Sequence, residues 1–199
     1  MLHHITINMG EHKLSVYQQV TPEEYLQMEE KNEFRSEYVY GEVFAMAGAS
    51  MNHVTACLNL SFSLRTQLKG KKCRTLMSDT RVKLAEGNIY YYPDVVVTCS
   101  EKDLKDGKSV SEPTLLIKVL SGSTMEKDLN EKLQHYLAIP TLEYYMVVSQ
   151  YKISIILYVR TDIGWGVLLY HAANEVITLE KIGVMIKVED IYEGIDWEI

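Results

Sequence analysis

Residues 90–97 read YYYPDVVV, and this stretch decides the expected fold. Three consecutive valines indicate a strand that is buried on both faces of a sheet. Asp94 stands at the mouth of that strand, where an unpaired carboxylate would cost several kcal/mol unless it were hydrogen-bonded or bound to a cation. Taken alone, Asp94 is better explained as the cap of a local backbone turn, because Pro-Asp pairs are common in turns.

A second anomaly lies in residues 115–121, which read LLIKVLS. Lys118 is surrounded by apolar residues, a placement that is rare for lysine in any fold. Either its aliphatic stem crosses the core and its ammonium group reaches a carboxylate, or the end of the strand lies at a polar cleft. Both interpretations require an acidic partner nearby, and Asp94 on the preceding strand is the obvious candidate.

Two further segments carry charges whose surroundings the sequence leaves open. In the predicted hairpin, alternation places Glu37 and Val39 on one face, where an inward glutamate would need a partner. An exposed hairpin edge explains Glu37 equally well. Asp128 and Lys132 lie one helical turn apart, and without context an ordinary solvated ion pair worth ~0.3–0.5 kcal/mol is the favoured explanation.

Histidines and cysteines do not show a metal-type spacing. His53 follows the stretch AGAS at residues 47–50, and a lone histidine near a helix start is more often a surface or satisfied residue than a ligand. The other five histidines are too dispersed to suggest a zinc site. Cys57, Cys73 and Cys99 are odd in number, so we predict reduced, mostly buried thiols in a cytoplasmic protein.

The order of predicted elements is helix, hairpin, helix, three strands, helix and further strands. One mixed sheet flanked by helices is the economical α/β architecture for this order. Residues 101–112 are polar and charged, and we expect a mobile loop there. The predicted helices span residues 21–30, 50–68 and 125–138, and the predicted strands span residues 37–46 (a hairpin), 74–84, 90–98, 114–121, 144–148, 153–159, 166–171 and 176–179.

Composition is ordinary for a globular protein and predicts a single domain over residues 1–199, with 47% hydrophobic and 24% charged residues. No apolar run approaches the ~20 residues that would span a bilayer. The net charge of −7 argues against a surface coated for nucleic-acid binding but leaves room for a local basic cleft. A basic cluster follows the second predicted helix, at Lys69, Lys71, Lys72 and Arg74.

Together these segments resemble the Uma2 family of restriction endonucleases, which belongs to the PD-(D/E)XK superfamily. The resemblance runs from about residue 21 to residue 192 and depends on the order and spacing of several short motifs. It implies a restriction-endonuclease-like mixed sheet, a Mg²⁺-dependent site for cleaving DNA phosphodiesters, and a homodimer. The motifs are TPEEYL (21–26), RSEY (35–38), GEV (41–43), MAGAS (46–50) with His53, SDTRV (78–82), YPD (92–94), VLS (119–121), ST (123–124), Asp128 with Lys132 and Tyr136, and GW (164–165).

The same resemblance assigns roles to four residues. Asp94 would be the central metal ligand, Glu37 a second acid from the hairpin, and Lys132 the lysine that faces developing charge. Lys118 stands where the family has glutamate, so the local charge changes by two units. At ~4 Å and an effective dielectric of ~20, each unit is worth about 4 kcal/mol before screening.

We therefore expect weakened Mg²⁺ binding and poor or absent DNA cleavage on an intact fold. Two alternatives stay open at this point. The chain could be a non-catalytic module on the same fold that binds nucleic acid or protein. It could also be an α/β protein in which Lys118 forms a purely structural ion pair.

Overall fold

A computed structural model describes residues 19–46, 48–122 and 128–197 of the chain. Its helices are α1 (Pro22–Lys31), α2 (Met51–Gln67), α3 (Glu101–Asp106), α4 (Glu131–Leu137) and α5 (Val188–Ile191). Its strands are β1 (Ser36–Val39), β2 (Glu42–Ala45), β3 (Arg74–Met77), β4 (Val82–Leu84), β5 (Ile89–Tyr91), β6 (Val95–Thr98), β7 (Pro113–Leu120), β8 (Tyr144–Ser149), β9 (Ile155–Thr161), β10 (Gly164–Tyr170), β11 (Val176–Leu179) and β12 (Val184–Lys187).

The central six-stranded sheet has the order β10-β9-β8-β7-β6-β3. Strands β7 and β8 are parallel, and the other neighbours are antiparallel, so the sheet is mixed as predicted. The three valines of β6 are completely buried. Val95 and Val97 pack into the core beside α2, while Val96 packs into the core beside α4. The continuous apolar run therefore belongs to a strand that is covered on both faces.

The first helix and the hairpin form where the sequence places them. Thr21 caps α1 in a capping box with Glu24, whose carboxylate accepts the Thr21 N–H at 2.9 Å. The hairpin turns at Tyr40 and Gly41, both with positive φ. At Gly41 a Cβ would also approach the Gln19 side chain to 2.9 Å, so the turn requires glycine.

Helix α2 begins as predicted, with the Ser50 hydroxyl accepting the His53 N–H at 3.1 Å. Two apolar residues of the helix, Val54 and Leu58, are exposed. The buried residues of the helix are Ala56, Cys57, Leu60, Ser61 and Leu64.

The predicted strands at 74–84 and 90–98 are both broken, and their halves enter different sheets. Ser78 and Asp79 adopt positive φ, 39° and 45°, and turn the chain between β3 and β4. Pro93 has no N–H for a sheet ladder and lies between β5 and β6. Strands β2, β1, β5 and β4 consequently form a separate four-stranded sheet, and β11 pairs with β12 in a third sheet.

Residues 101–112 are more ordered than predicted. They begin with helix α3, and the Asp103 side chain is buried. Its carboxylate accepts the N–H groups of Ser111 and Glu112 at 2.9 and 3.1 Å and the hydroxyl of Thr98 at 2.8 Å. This side chain satisfies backbone donors that would otherwise need water. The prediction of a loop is wrong for residues 101–106, which are helical.

The helix predicted at 125–138 is interrupted. Residues 123–127 lie outside the described part of the chain. Asp128 and Leu129 are helical, Asn130 leaves the helical region at φ −117° and ψ −82°, and α4 begins at Glu131.

Cys73 and Cys99 form a disulfide, so the prediction of three reduced thiols is wrong for two of them. The pairing register explains the bond. Arg74 lies opposite Thr98 in the β3–β6 ladder, and the cysteines are the next opposed pair. Cys57 remains a free, buried thiol. None of the described helices is both long enough and apolar enough to cross a bilayer.

Candidate functional site

Glu37, Asp94, Lys118 and Lys132 line one cavity of about 420 Å³ at the mouth of the central strands. Strand β1 carries Glu37, and the chain entering β6 carries Asp94. Strand β7 contributes Lys118, and α4 contributes Lys132. The structure thus brings together all four side chains that the sequence marked, although the chain segments that carry them are far apart.

Asp94 and Lys118 form a tight ion pair. The Lys118 Nζ lies 3.1 Å from Oδ1 and 3.0 Å from Oδ2 of Asp94. The backbone N–H of Val119 also donates to Oδ2 at 2.6 Å. The carboxylate therefore bonds across to β7, and the alternative that it caps a local turn is wrong.

Charge pairing keeps both groups ionised despite their burial. Burial alone would raise the pKa of Asp94, but the hydrogen bond from His53 and the charge of Lys118 outweigh it and hold the pKa below its usual value. Burial alone would lower the pKa of Lys118, but the Asp94 carboxylate outweighs it and the pKa is raised. At neutral pH the pair is a carboxylate facing an ammonium.

A second ionic group surrounds Lys132. Its Nζ lies 2.8 Å from Oε1 of Glu37 and 3.0 Å from Oδ1 of Asp128, and the Tyr91 ring centroid is 5.2 Å away. Lys132 is 4% exposed and Asp128 is 0% exposed. The favoured explanation from sequence, a solvated helix flank, is therefore wrong. Tyr136, on the same helix as Lys132, packs into the core.

Sequence reasoning considered Asp128 and His53 but favoured a solvated helix flank for the first and a surface or satisfied residue for the second. The signal for Asp128 was its spacing of four from Lys132, which is too common on exposed helices to be specific. His53 is the third residue of α2, and its Nε2 lies 3.3 Å from Oδ1 of Asp94. The Sγ atom of Cys57, one turn further along, lies 3.7 Å from Nδ1 of the same ring.

Glu29 is another buried carboxylate that the sequence did not mark. It is 1% exposed, and Ser36 donates to it from both its backbone N–H and its hydroxyl. The Tyr92 hydroxyl donates to it at 2.7 Å. Burial, followed by this hydrogen bond, raises the pKa of Tyr92 to about 12. Because its oxygens are occupied and it does not line the site cavity, Glu29 supports the fold beside the site.

The basic cluster lies on a different surface. Lys69, Lys71 and Arg74 line a groove of about 820 Å³ together with Phe62 and Arg65. That groove shares no residue with the site cavity. It follows the C-terminal end of α2, whereas His53 and the site lie at the N-terminal end.

Comparison with known proteins gives concordant matches. The family model Uma2, described as putative restriction endonuclease, matches residues 22–187. The uncharacterized protein slr1290 of Synechocystis sp. is 35% identical over 179 residues, which cover 90% of this chain and 94% of that protein. The uncharacterized protein sll1609 of the same organism is 37% identical over 134 residues, covering 66% and 76% respectively.

A solved structure has a similar fold. The crystal structure of a putative nuclease belonging to DUF820 from Anabaena variabilis superposes with a TM-score of 0.71. The match covers 90% of this chain and 99% of that one, at 14% sequence identity. Identity this low makes the similarity a statement about fold alone.

Proposed function

The chain belongs to the Uma2 family of putative restriction endonucleases, and on that premise we propose that it is a DNA nuclease whose metal-dependent cleavage is suppressed by Lys118. The observation that carries the proposal is the meeting of Glu37, Asp94 and Lys132 in one cavity. Two acids beside a lysine match the groups that the resemblance assigns to phosphodiester hydrolysis. Asp94 and Glu37 would hold the metal, and Lys132 would face the phosphate.

As they stand, the side chains fit Mg²⁺ poorly. Mg²⁺ requires near-octahedral oxygen ligands and binds to proteins mainly through free carboxylates. Lys118 and the Val119 N–H occupy the two oxygens of Asp94, and Lys132 occupies Oε1 of Glu37. A Mg²⁺ ion held by Asp94 and Glu37 together would have to displace the ammonium groups that now bind these carboxylates. This disagreement supports suppression of the Mg²⁺-dependent activity rather than a different fold.

Thermal melting tests the proposed suppression. We expect the melting temperature of the unmodified chain to be unchanged by Mg²⁺, because the Lys118 ammonium group occupies the position where the family glutamate would bind the cation. The Lys118→Glu variant should gain about 2.7 kcal/mol of stability at a hundredfold excess of ion over its dissociation constant. An equal upward shift in the unmodified chain would contradict the proposed role of Lys118.

A non-catalytic nucleic-acid-binding module is the second candidate, and the basic groove beside α2 favours it. We expect this surface to bind duplex DNA without added metal. A triple Lys69→Glu, Lys71→Glu, Arg74→Glu variant should bind more weakly, and its salt dependence should fall by ~0.9 per lost phosphate contact. Fluorescence anisotropy across a salt series measures both quantities. A triple Lys31→Glu, Lys152→Glu, Lys187→Glu variant is the matched control, because it reverses three charges at exposed lysines that do not line the groove, and equal losses in both proteins would exclude the groove.

We also propose that the protein pairs as a homodimer, as the family resemblance suggests. Strand β10 supports this because it is an edge strand of the central sheet and exposes Val167, Leu168 and Leu169. A cytoplasmic location is the further expectation from sequence. The Cys73–Cys99 disulfide weighs against it, because such bonds are rare in reducing compartments.

A further inference from the structure

We propose that His53, Cys57 and Asp94 form a site for a divalent transition-metal ion of the Zn²⁺ class. All three residues line the cavity of the candidate site, His53 and Cys57 from α2 and Asp94 from the chain entering β6. The inference goes beyond the proposed nuclease function. It depends on the positions and chemistry of these three side chains and would stand if the chain never acted on DNA.

The geometry suits one ion. His53 and Cys57 are four residues apart on α2, so their side chains lie one above the other on the same face. One ligand atom from each of the three residues lies within 4.8 Å of the other two. His53 Nε2 and Asp94 Oδ1 are 3.3 Å apart. Two ligands bound at ~2.1 Å to a tetrahedral ion would be about 3.4 Å apart, so this pair already has ligand spacing. The Cys57 Sγ lies 3.7 Å from Nδ1, the other nitrogen of the His53 ring, so rotation of these side chains must bring the sulfur beside an ion bound at Nε2.

The donor set selects the kind of ion. Imidazole nitrogen, thiolate sulfur and carboxylate oxygen are the ligands of Zn²⁺ and related ions, whereas Mg²⁺ and Ca²⁺ prefer oxygen alone. A site with three protein ligands leaves the fourth tetrahedral position facing the cavity. In a chain that has lysine at the usual glutamate position, α2 thus offers the same cavity a sulfur and a nitrogen donor.

Charge balance also favours a cation here. The carboxylates Glu37, Asp94 and Asp128, none more than 11% exposed at the side chain, outnumber the ammonium groups of Lys118 and Lys132 by one. A divalent ion bound with Cys57 as a thiolate brings this cluster to neutrality. Lys118 would then share Asp94 with the ion, one on each carboxylate oxygen.

The order thiol, imidazole, carboxylate also resembles a nucleophilic triad. Cys57 is only 5% exposed, and burial raises the pKa of its thiol. A nucleophile must be ionised and reachable before it meets its substrate. A metal ligand can instead be deprotonated by the ion that it binds, so the three side chains suit metal binding better.

Cobalt spectroscopy tests the site, with Co²⁺ as the probe and Zn²⁺ as the competitor. The full chain, freed of metal by a chelator, should bind one Co²⁺ and develop a sulfur-to-cobalt charge-transfer band, which Zn²⁺ should abolish. Cys57 is the single thiol left free among the chain's three cysteines, so the band reports on that residue. Cys57→Ser should remove the band and weaken Zn²⁺ binding by at least about 100-fold, more than a change beyond the ligands causes.

Two variants complete the design. A Cys73→Ser, Cys99→Ser double variant should keep the band, and its loss there would overturn the assignment to Cys57. Lys118→Met removes the ammonium that competes for Asp94, so Zn²⁺ should bind at least about tenfold more tightly. An unchanged or weaker affinity would overturn the assignment of Asp94 as a ligand. Cobalt bound without a sulfur band, or no binding at all, would overturn the whole proposal, whether or not the protein cleaves DNA.

Discussion

Replacing Lys118 with glutamate is expected to produce Mg²⁺-dependent DNA cleavage at least about 1000-fold faster than that of the unmodified chain. The change adds a carboxylate beside Asp94 and removes the ammonium that now binds both Asp94 oxygens. Two charge units at about 4 kcal/mol each give about 8 kcal/mol before screening. If solvent screening halves this electrostatic energy, about 4 kcal/mol remains. That is about three factors of ten in rate.

Plasmid nicking with and without Mg²⁺ measures the effect. The Lys118→Met variant distinguishes the loss of the ammonium charge from the gain of a metal ligand, since it frees Asp94 without supplying a new oxygen. DNA cleavage by this variant should remain slow. Lys118→Glu combined with Asp94→Asn should return to background, because the central acid is lost. If the unmodified chain digests DNA as fast as Lys118→Glu, Lys118 does not suppress the activity.

Replacing Lys132 with methionine is expected to lower the free energy of unfolding by about 3–5 kcal/mol, because it leaves Glu37 and Asp128 as buried carboxylates without their ammonium partner. Methionine keeps most of the side-chain volume, so a cavity contributes little. Urea denaturation at neutral pH measures the difference.

Two controls make that result specific. Lys187 is 61% exposed and pairs with the similarly exposed Glu189, so Lys187→Met should leave the urea midpoint within error. Adding Glu37→Gln and Asp128→Asn to Lys132→Met removes the two buried negative charges. This triple variant should recover much of the lost free energy of unfolding. An unchanged midpoint for Lys132→Met alone would mean that these pairs contribute nothing in solution.

The pairing of Asp94 with Lys118 was predictable because each residue was anomalous in its own strand. A charge inside an apolar run can be buried at low free-energy cost in only a few ways, and pairing with an opposite charge on the neighbouring strand is one of them. Strand β6 and the N-terminal cap of α2 were predictable for a related reason. Both are indicated by residues within the element itself, and these local preferences agree with the final fold.

Other features depended on tertiary structure and carried no local signal. In the sequence, Asp128 and Lys132 look like any exposed helical ion pair. Both are buried only in the folded protein, where Tyr136 of α4 packs into the core. His53 becomes a neighbour of Asp94 only when α2 lies across the sheet. The Cys73–Cys99 bond follows from the register of β3 and β6, which a spacing of 26 residues does not reveal.

The contact between Glu37 and Lys132 joins residues 95 positions apart, which has a consequence for kinetics. Closing so long a loop lowers the conformational entropy of the chain before the new contact can stabilise it. Such contacts therefore tend to form late in folding. Interactions that are missing from the transition state stabilise a protein by slowing its unfolding and barely alter its folding rate. The ionic cluster should therefore lengthen the lifetime of the native state, and with it the resistance to proteases that cleave only the opened chain.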